Sequence, residues 1–378
     1  MNRAELLLAV LLLTGACASS FERPAPFADT PLRARALTKT DDGIRVSAAA
    51  PSAQESRSIF GVDLEPRGIQ PLWLEIENGS ERPFYFLPTG LDPEYFAPLE
   101  VAFLYEGAFD EKGDAALGEH LVALGFDSRK PIASGQTVSG FVYANRAYPS
   151  LMVTVDLIWH EWSDRIGLVV PVPGTEAAQE RMAALRGLHP ESEIVEIYDE
   201  PALRDALEKL PCCAADPSGA QLPLNLVLIG ELDEWGPAFV RRNYRYASAS
   251  ALQAFGRMQD LSGHRFSRWV APQPHTLRIW LTPLRYRSLP VWVGQVSTPL
   301  GGRFAASDDG DESLRIEPDV DDARDDVVQD LLYSQALAKI GFVKGSGGDG
   351  SSHPTDGLRT VLVFGGNAVS LAEVDFFD

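Results

Sequence analysis

Two kinds of apolar pattern divide the chain. Between Ile44 and Pro173, short runs alternate apolar and polar side chains and are separated by turn residues, as strands with one buried face do. Leu151, Val153, Val155, Leu157 and Trp159 share one side of such a strand, with Met152, Thr154, Asp156, Ile158 and His160 on the other. Leu72–Ile76 and Phe84–Leu87 flank Asn78-Gly79-Ser80, and an Asn-Gly between two strands predicts a hairpin. Thr137–Tyr143 and Ile166–Val172 supply further strands, and no long helical period competes with them. Residues 41–174 are therefore expected to form an all-β sandwich of the immunoglobulin-like kind.

From Glu176 the pattern changes. Glu176–Leu188 is rich in Ala, Glu, Arg and Met, which favour a helix, and Glu200–Leu210 is read as similar in composition, so residues 175–210 read as a helical linker that bridges two domains. Leu224–Gly230 is a continuous apolar run, broken only by Asn225, and predicts a central strand buried on both faces. Leu232, Trp235, Phe239 and Val240 follow at helical spacing, which predicts a helix over Glu231–Arg242 lying against that strand. Ala251–Asp260 reads as a short helix or an irregular connection. Thr276–Leu281 and Pro290–Val296 predict two strands, Ile316–Asp330 a helix and Arg359–Phe364 a last strand. The order strand, helix, strand, strand, helix, strand predicts an α+β domain of the split βαβ type over residues 211–378. A chain of 378 residues, longer than one core usually fills, fits two domains that limited proteolysis would separate near residues 175–200.

Charge excludes some partners. The formal net charge is -20, and no basic stripe is present, so nucleic acid is not expected as a partner. The three cysteines show no Cys/His spacing suited to zinc, and neither a cofactor nor a metal is expected. Cys212 and Cys213 are adjacent within Pro211–Pro217; they read as a structural pair that forms a vicinal ring, stays reduced or pairs elsewhere.

The first residues carry an address. Arg3 precedes an apolar run from Leu6 to Leu13, too short to span a bilayer but suited to a secretory signal over residues 1–16. Gly15 and Ala16 before Cys17 resemble the bacterial lipobox, with Thr14 departing from the commoner Leu. That resemblance implies lipidation, palmitate included, at Cys17, and more than one acyl chain gives stable membrane anchoring. Residues 17–40, with Pro24, Pro26 and Pro31, read as a tether. The following Ala18 and Ser19 imply outer-membrane delivery, with the protein facing the periplasm.

Five ordered motifs in the second half resemble one family. They are P-L-N-L-V-L-I-G at 223–230, F-G-R-M-Q-D at 255–260, L-R-I-W at 277–280, P-V-W-V-G at 290–294 and I-E-P-D-V-D-D-A-R-D at 316–325. Over roughly Pro211 to Lys344 the chain is similar to the LssY-like C-terminal domain of bacterial envelope proteins. The resemblance implies an envelope domain, in relatives fused to membrane phosphatase-like domains, and implies no reaction. Ser313-Leu314 stands where the family pattern has a Thr-His pair, while His275 stands where it tends to have a basic residue or His.

Candidate chemistry gathers in the acidic stretch. Glu317, Asp319, Asp321, Arg324 and Asp325 lie within three turns, and Pro318 suits the first helical position. In an enzyme, Asp319, Asp321 and Asp325 would serve as metal ligands or acid/base groups, with Arg257, Arg278 and Arg324 clamping an anion and His275 carrying a proton. Arg278 alternates with the apolar Leu277 and Ile279, so it faces away from their side and is expected to meet Asp319 and Asp321. Carboxylates in a first helical turn are also favoured by the helix dipole whatever the function. His120, His160 and Glu161 are the chemistry candidates of the first domain, with no second histidine at a ligand spacing, and the histidines read as surface or strand-end residues. No nucleophile elbow, serine triad or zinc signature is present. The expected function is that of a lipid-anchored cell-envelope binding or interaction module with a possible envelope protein partner. The alternative is an envelope hydrolase that uses Glu317–Asp325 on a phosphate-like or acyl substrate.

Overall fold

The computed structural model describes residues 20–246, 252–265, 275–300, 315–316, 320–346, 350–365, 369–370 and 372–377. Residues 1–16, expected to be a secretory signal, and Cys17 lie outside the described residues, as do Glu317, Pro318 and Asp319. Among the described residues no helix is long and apolar enough to cross a membrane.

The protein is mostly β-sheet, in several sheets. In the first half, β1 (Leu37–Asp41), β2 (Ile44–Ala49), β3 (Ile69–Asn78) and β5 (Thr137–Asn145) form one sheet; β4 (Tyr85–Leu87), β6 (Ser150–Trp159) and β7 (Trp162–Pro171) form another. Alternation aims Leu72, Leu74 and Ile76 of β3 and Leu151, Val153, Val155 and Leu157 of β6 into one shared core between the sheets. Each such fully buried side chain contributes about 1.5–3 kcal/mol.

Two expectations fail here for physical reasons. Asn78-Gly79 does not close a hairpin, because β3 pairs with β2 and β5 while β4 pairs with β6 in the other sheet. Asn78 instead organises a crossing between sheets: its amide group donates to Arg82 O and Ile132 O, and its side-chain oxygen accepts from the Ser80 amide and hydroxyl. The half is also not purely β. A helix at Ala53–Phe60 starts on a capping box of Ser52 and Glu55, and one at Glu111–Leu124 starts on the Asp110 side chain. Both cover the outer face of β3 and β5, where Phe60, Leu117 and Leu121 pack with Trp73, Phe141 and Tyr143.

The second half is built on a nine-stranded sheet. Its strands are β8 (Val195–Ile197), β11 (Leu226–Ile229), β12 (Tyr244–Tyr246), β15 (Leu261–Arg265), β16 (Thr276–Tyr286), β17 (Leu289–Ser297), β20 (Leu337–Ser346), β21 (Gly357–Phe364) and β22 (Asp375–Phe376). β11 is central, antiparallel to β17 and parallel to β21. Its unbroken apolar run follows from burial on both faces: Leu226 and Leu228 enter one core, Val227 and Ile229 the other. The first core also holds the helices Leu232–Val240 and Val320–Tyr333. The second holds the helix Glu200–Glu208 and a small sheet of β9 (Cys213–Ala215), β10 (Gln221–Pro223), β13 (Gln253–Ala254) and β14 (Arg257–Met258). Residues 251–260 thus contain a hairpin, not a helix, and Phe255 and Gly256 turn it with positive φ. β20 had no counterpart in the sequence pattern, where its glycine and lysines dilute the apolar run. Cys212 and Cys213 form a vicinal disulfide.

The two halves meet through the helix Leu232–Val240, which lies on β6 and β7. Glycines permit that approach: a Cβ on Gly167 would sit 2.3 Å from Asp233 O, and one on Gly236 would sit 2.6 Å from Met152 Sδ. Charged pairs tie the joint: Arg245 Nη2 lies 2.7 Å from Asp92 Oδ1 with both side chains buried, and Lys39 Nζ lies 2.6 Å from Asp233 Oδ2.

Candidate functional site

The acidic helix Val320–Tyr333 buries Val320, Ala323, Val327 and Leu331, which leaves the charges of its first turn at one end. There Arg324, its side chain 3% exposed, is surrounded by acceptors. Its Nη1 and Nη2 donate to Asp356 Oδ1 and Oδ2 at 3.1 and 3.0 Å, its Nε to Asp325 Oδ1 at 2.9 Å, and Nη1 also to Asp321 Oδ1 and Leu358 O. The remaining oxygen of Asp321 accepts from the Asp356 amide at 2.6 Å, and Thr355 Oγ1 donates to Asp321 Oδ1. Burial pushes the Asp321 carboxyl up, against the Asp356 amide and the Arg324 charge. The Asp356 carboxyl is held below the usual range; burial opposes this, and the bonds from Arg324 outweigh it. Arg324 is raised, because its carboxylate partners outweigh burial. The cluster joins the helix start to the entry of β21, a structural clasp whose donors and acceptors are matched to one another.

Other expected residues fall elsewhere. His275, buried, places Nδ1 at 2.6 Å from Thr298 Oγ1 and Nε2 at 3.3 Å from Asp326 Oδ2, so it reaches the middle of the acidic helix and not its start. Arg278 donates to Gln295 Oε1 at 2.5 Å and to Ser297 Oγ at 3.2 Å across the β16–β17 ladder, and burial lowers its guanidinium to about 10. Leu277 and Ile279 enter the core beneath the acidic helix while Trp280 enters the opposite one; Arg278 shares the alternation of Trp280. Arg257 is occupied by Asp260 and by Leu281 O. Asp321, Arg324 and Asp325 are therefore brought together; His275, Arg278 and Arg257 each have other described partners. His120 is neither at the surface nor at a strand end: it is buried in the helix Glu111–Leu124, with Nε2 at 2.8 Å from Ile59 O. Among the described residues no group of three His, Cys, Asp or Glu side chains is placed to hold a metal ion.

Two of the cavities at the joint have a volume suited to a ligand, and the sequence did not disclose them. The larger, about 840 Å³, is a groove with apolar walls from Leu168, Met182, Leu185, Leu232, Leu281 and Trp292. Gln179, Arg186 and His189 add polar groups to it. The smaller, about 330 Å³, is lined by Thr154 and Arg165 of the first half and by Asp233, Glu234 and Pro237 of the second, with Lys39 and Asp41 at β1. Arg165 is opposite Asp156 in the β6–β7 register, at 3.9 Å, while Arg241 Nη1 approaches both Asp156 oxygens at 2.5 Å. Burial lowers the Arg165 guanidinium to about 10, the nearby Arg241 adds to this, and Asp156 and Asp164 oppose it. Burial raises Asp156, against both arginines. One sequence signal could have pointed here: Gly167 inside an otherwise apolar strand marks a close backbone approach.

Residues 232–359 match the family model of the LssY C-terminus, so the second half carries an LssY-like C-terminal domain. Four of the five motifs fall within the matched residues, and the strand motif at 223–230 precedes them. No curated protein and no solved structure matches the chain.

Proposed function

We propose, with the LssY-like domain as premise, that the protein is a lipid-anchored cell-envelope binding module whose ligand occupies the larger groove between the halves. The finer fold reading belongs to the same proposal: an immunoglobulin-like first half docked on a split βαβ second half. One observation carries it. A concave groove of about 840 Å³, whose walls mix apolar side chains with Lys39, Arg186, His189, Glu231, Asp233 and Arg285, has the size of small-molecule sites. The hydrolase alternative needs Asp321 and Arg324 to act on a substrate, and their bonds to Asp356, Thr355 and Asp325 give it no such support.

The groove is tested by titrating the full chain with the apolar reporter N-phenylnaphthylamine and following its fluorescence. Saturable binding is expected, and Met182→Glu, which places a charge in the wall, should weaken it at least tenfold. Absence of saturation, or equal binding by the variant, refutes the groove reading. The anchor is tested separately. Cys17→Ala should move the protein from the membrane fraction to the soluble one, and unchanged fractionation refutes lipidation at Cys17.

A further inference from the structure

The smaller cavity contains a mismatch of charge and hydrogen bonding. Arg165 is 9% exposed, and its Nε, Nη1 and Nη2 all lack a hydrogen-bond partner. Thr154, 1% exposed, lines the same cavity and its hydroxyl also lacks a partner. A buried guanidinium with none of its donors used is among the most unfavourable arrangements a core can hold. Two guanidiniums, Arg165 and Arg241, lie against the Asp156 carboxylate, and the bonded one is Arg241. Asp164 does not complete the set, since its Oδ1 accepts from the Arg165 amide and not from the guanidinium. No carboxylate is hydrogen-bonded to the Arg165 guanidinium, and the room for one is there, about 330 Å³.

We infer that this cavity binds a small zwitterion of the α-amino-acid type, its carboxylate on the Arg165 guanidinium and the Thr154 hydroxyl. The guanidinium fork suits a carboxylate, which accepts two parallel N–H bonds. The outer lining decides the ligand's other end. Asp41, Asp233 and Glu234 face a single cation, Lys39, whose ammonium pairs with Asp233. That rim repels a doubly charged phosphate and attracts an ammonium group, so a ligand with one inner negative charge and one outer positive charge fits both ends. The inference goes beyond the groove reading and uses a different cavity.

Thermal-shift and calorimetric titrations of the full chain with glycine, alanine, acetate and inorganic phosphate test it. The amino acids should raise the melting temperature in a saturable way, acetate should do so more weakly, and phosphate should do no more than sodium chloride of equal ionic strength. Arg165→Met, which keeps the volume and removes the donors, should abolish the amino-acid response. Should that variant not fold, Thr154→Val serves instead and should weaken binding at least tenfold. Three results overturn the site: no saturable response to either amino acid, a response that sodium chloride reproduces, or an unchanged response in a folded variant. A response to phosphate but not to the amino acids overturns the zwitterion. The groove shares Lys39 and Asp233 with this cavity, so the two readings are kept apart by Met182→Glu, at a residue that lines only the groove, and Arg165→Met, at a residue that lines only the cavity.

Discussion

Arg359 in the second half and Arg165 at the joint are both pushed to about 10 by burial, and they have opposite surroundings. Arg359, 0% exposed, donates to the carbonyls of Leu224, Leu207, Leu210, Pro211 and Gly345, and so closes the C-terminal end of the helix Glu200–Glu208. Arg165 donates to nothing in the protein. A perturbed pKa often points to function. Here desolvation alone does not separate architecture from a site, and the fate of the donors does.

The largest effect is expected where every donor is used. Arg359→Ala strands several buried carbonyls and should cost about 4 kcal/mol or more in guanidinium unfolding. Arg324→Ala leaves Asp321 facing Asp356 without a cation and should cost about 3 kcal/mol by the same measurement. Gly167→Ala forces its Cβ against Asp233 O and should cost about 1–3 kcal/mol, with the loss seen in the first half and the second together. Arg165→Met should change stability by less than about 1 kcal/mol or raise it, because an unmatched buried charge is exchanged for packing. A loss as large as that of Arg359→Ala would make Arg165 structural and erase the distinction. The smallest effect belongs to a bonded but half-exposed pair. The bond from Arg35 holds the Glu55 carboxyl down to about 2, with the Ser52 cap assisting and burial opposing. Its folded value lies below the ordinary 4.5, so the stabilisation is complete above about pH 4.5 and is lost as pH falls toward 2. Glu55→Gln should flatten that acid limb in pH-dependent melting curves.

What the sequence made legible follows the range of each interaction. Leu224–Gly230 was readable as a central strand because burial on both faces writes itself into consecutive residues. The helix beginning at Glu200 was readable from composition, and Asp199 caps it. Asn78-Gly79 misled, since the local turn signal does not record which sheet the next strand joins. The helix Glu111–Leu124 escaped because Gly113 and Gly118 interrupt its apolar stripe, and both are buried. At the acidic helix the residues on one turn were legible and their partner Asp356, thirty-two positions beyond Arg324, was not. Arg165 could not be found this way. On an alternating strand it reads as a solvent-facing charge, and the alternation does not record that the helix Leu232–Val240 is laid over β7.

The ties across the joint also set a timetable. Asp92 precedes Arg245 by 153 residues, and Asp156 precedes Arg241 by 85. At a synthesis rate of about 5–20 residues per second, Asp92 waits about 8 to 30 s for Arg245, and the first half, once its last strand has been made at Pro171, waits about 4 to 15 s. During that interval its sheets can already pair, yet two carboxylates meant for the interior remain without their arginines and the outer face of β6 and β7 stays uncovered. The nascent first half is thus a folded surface with two vacancies of defined charge, and the growing chain itself delivers what fills them.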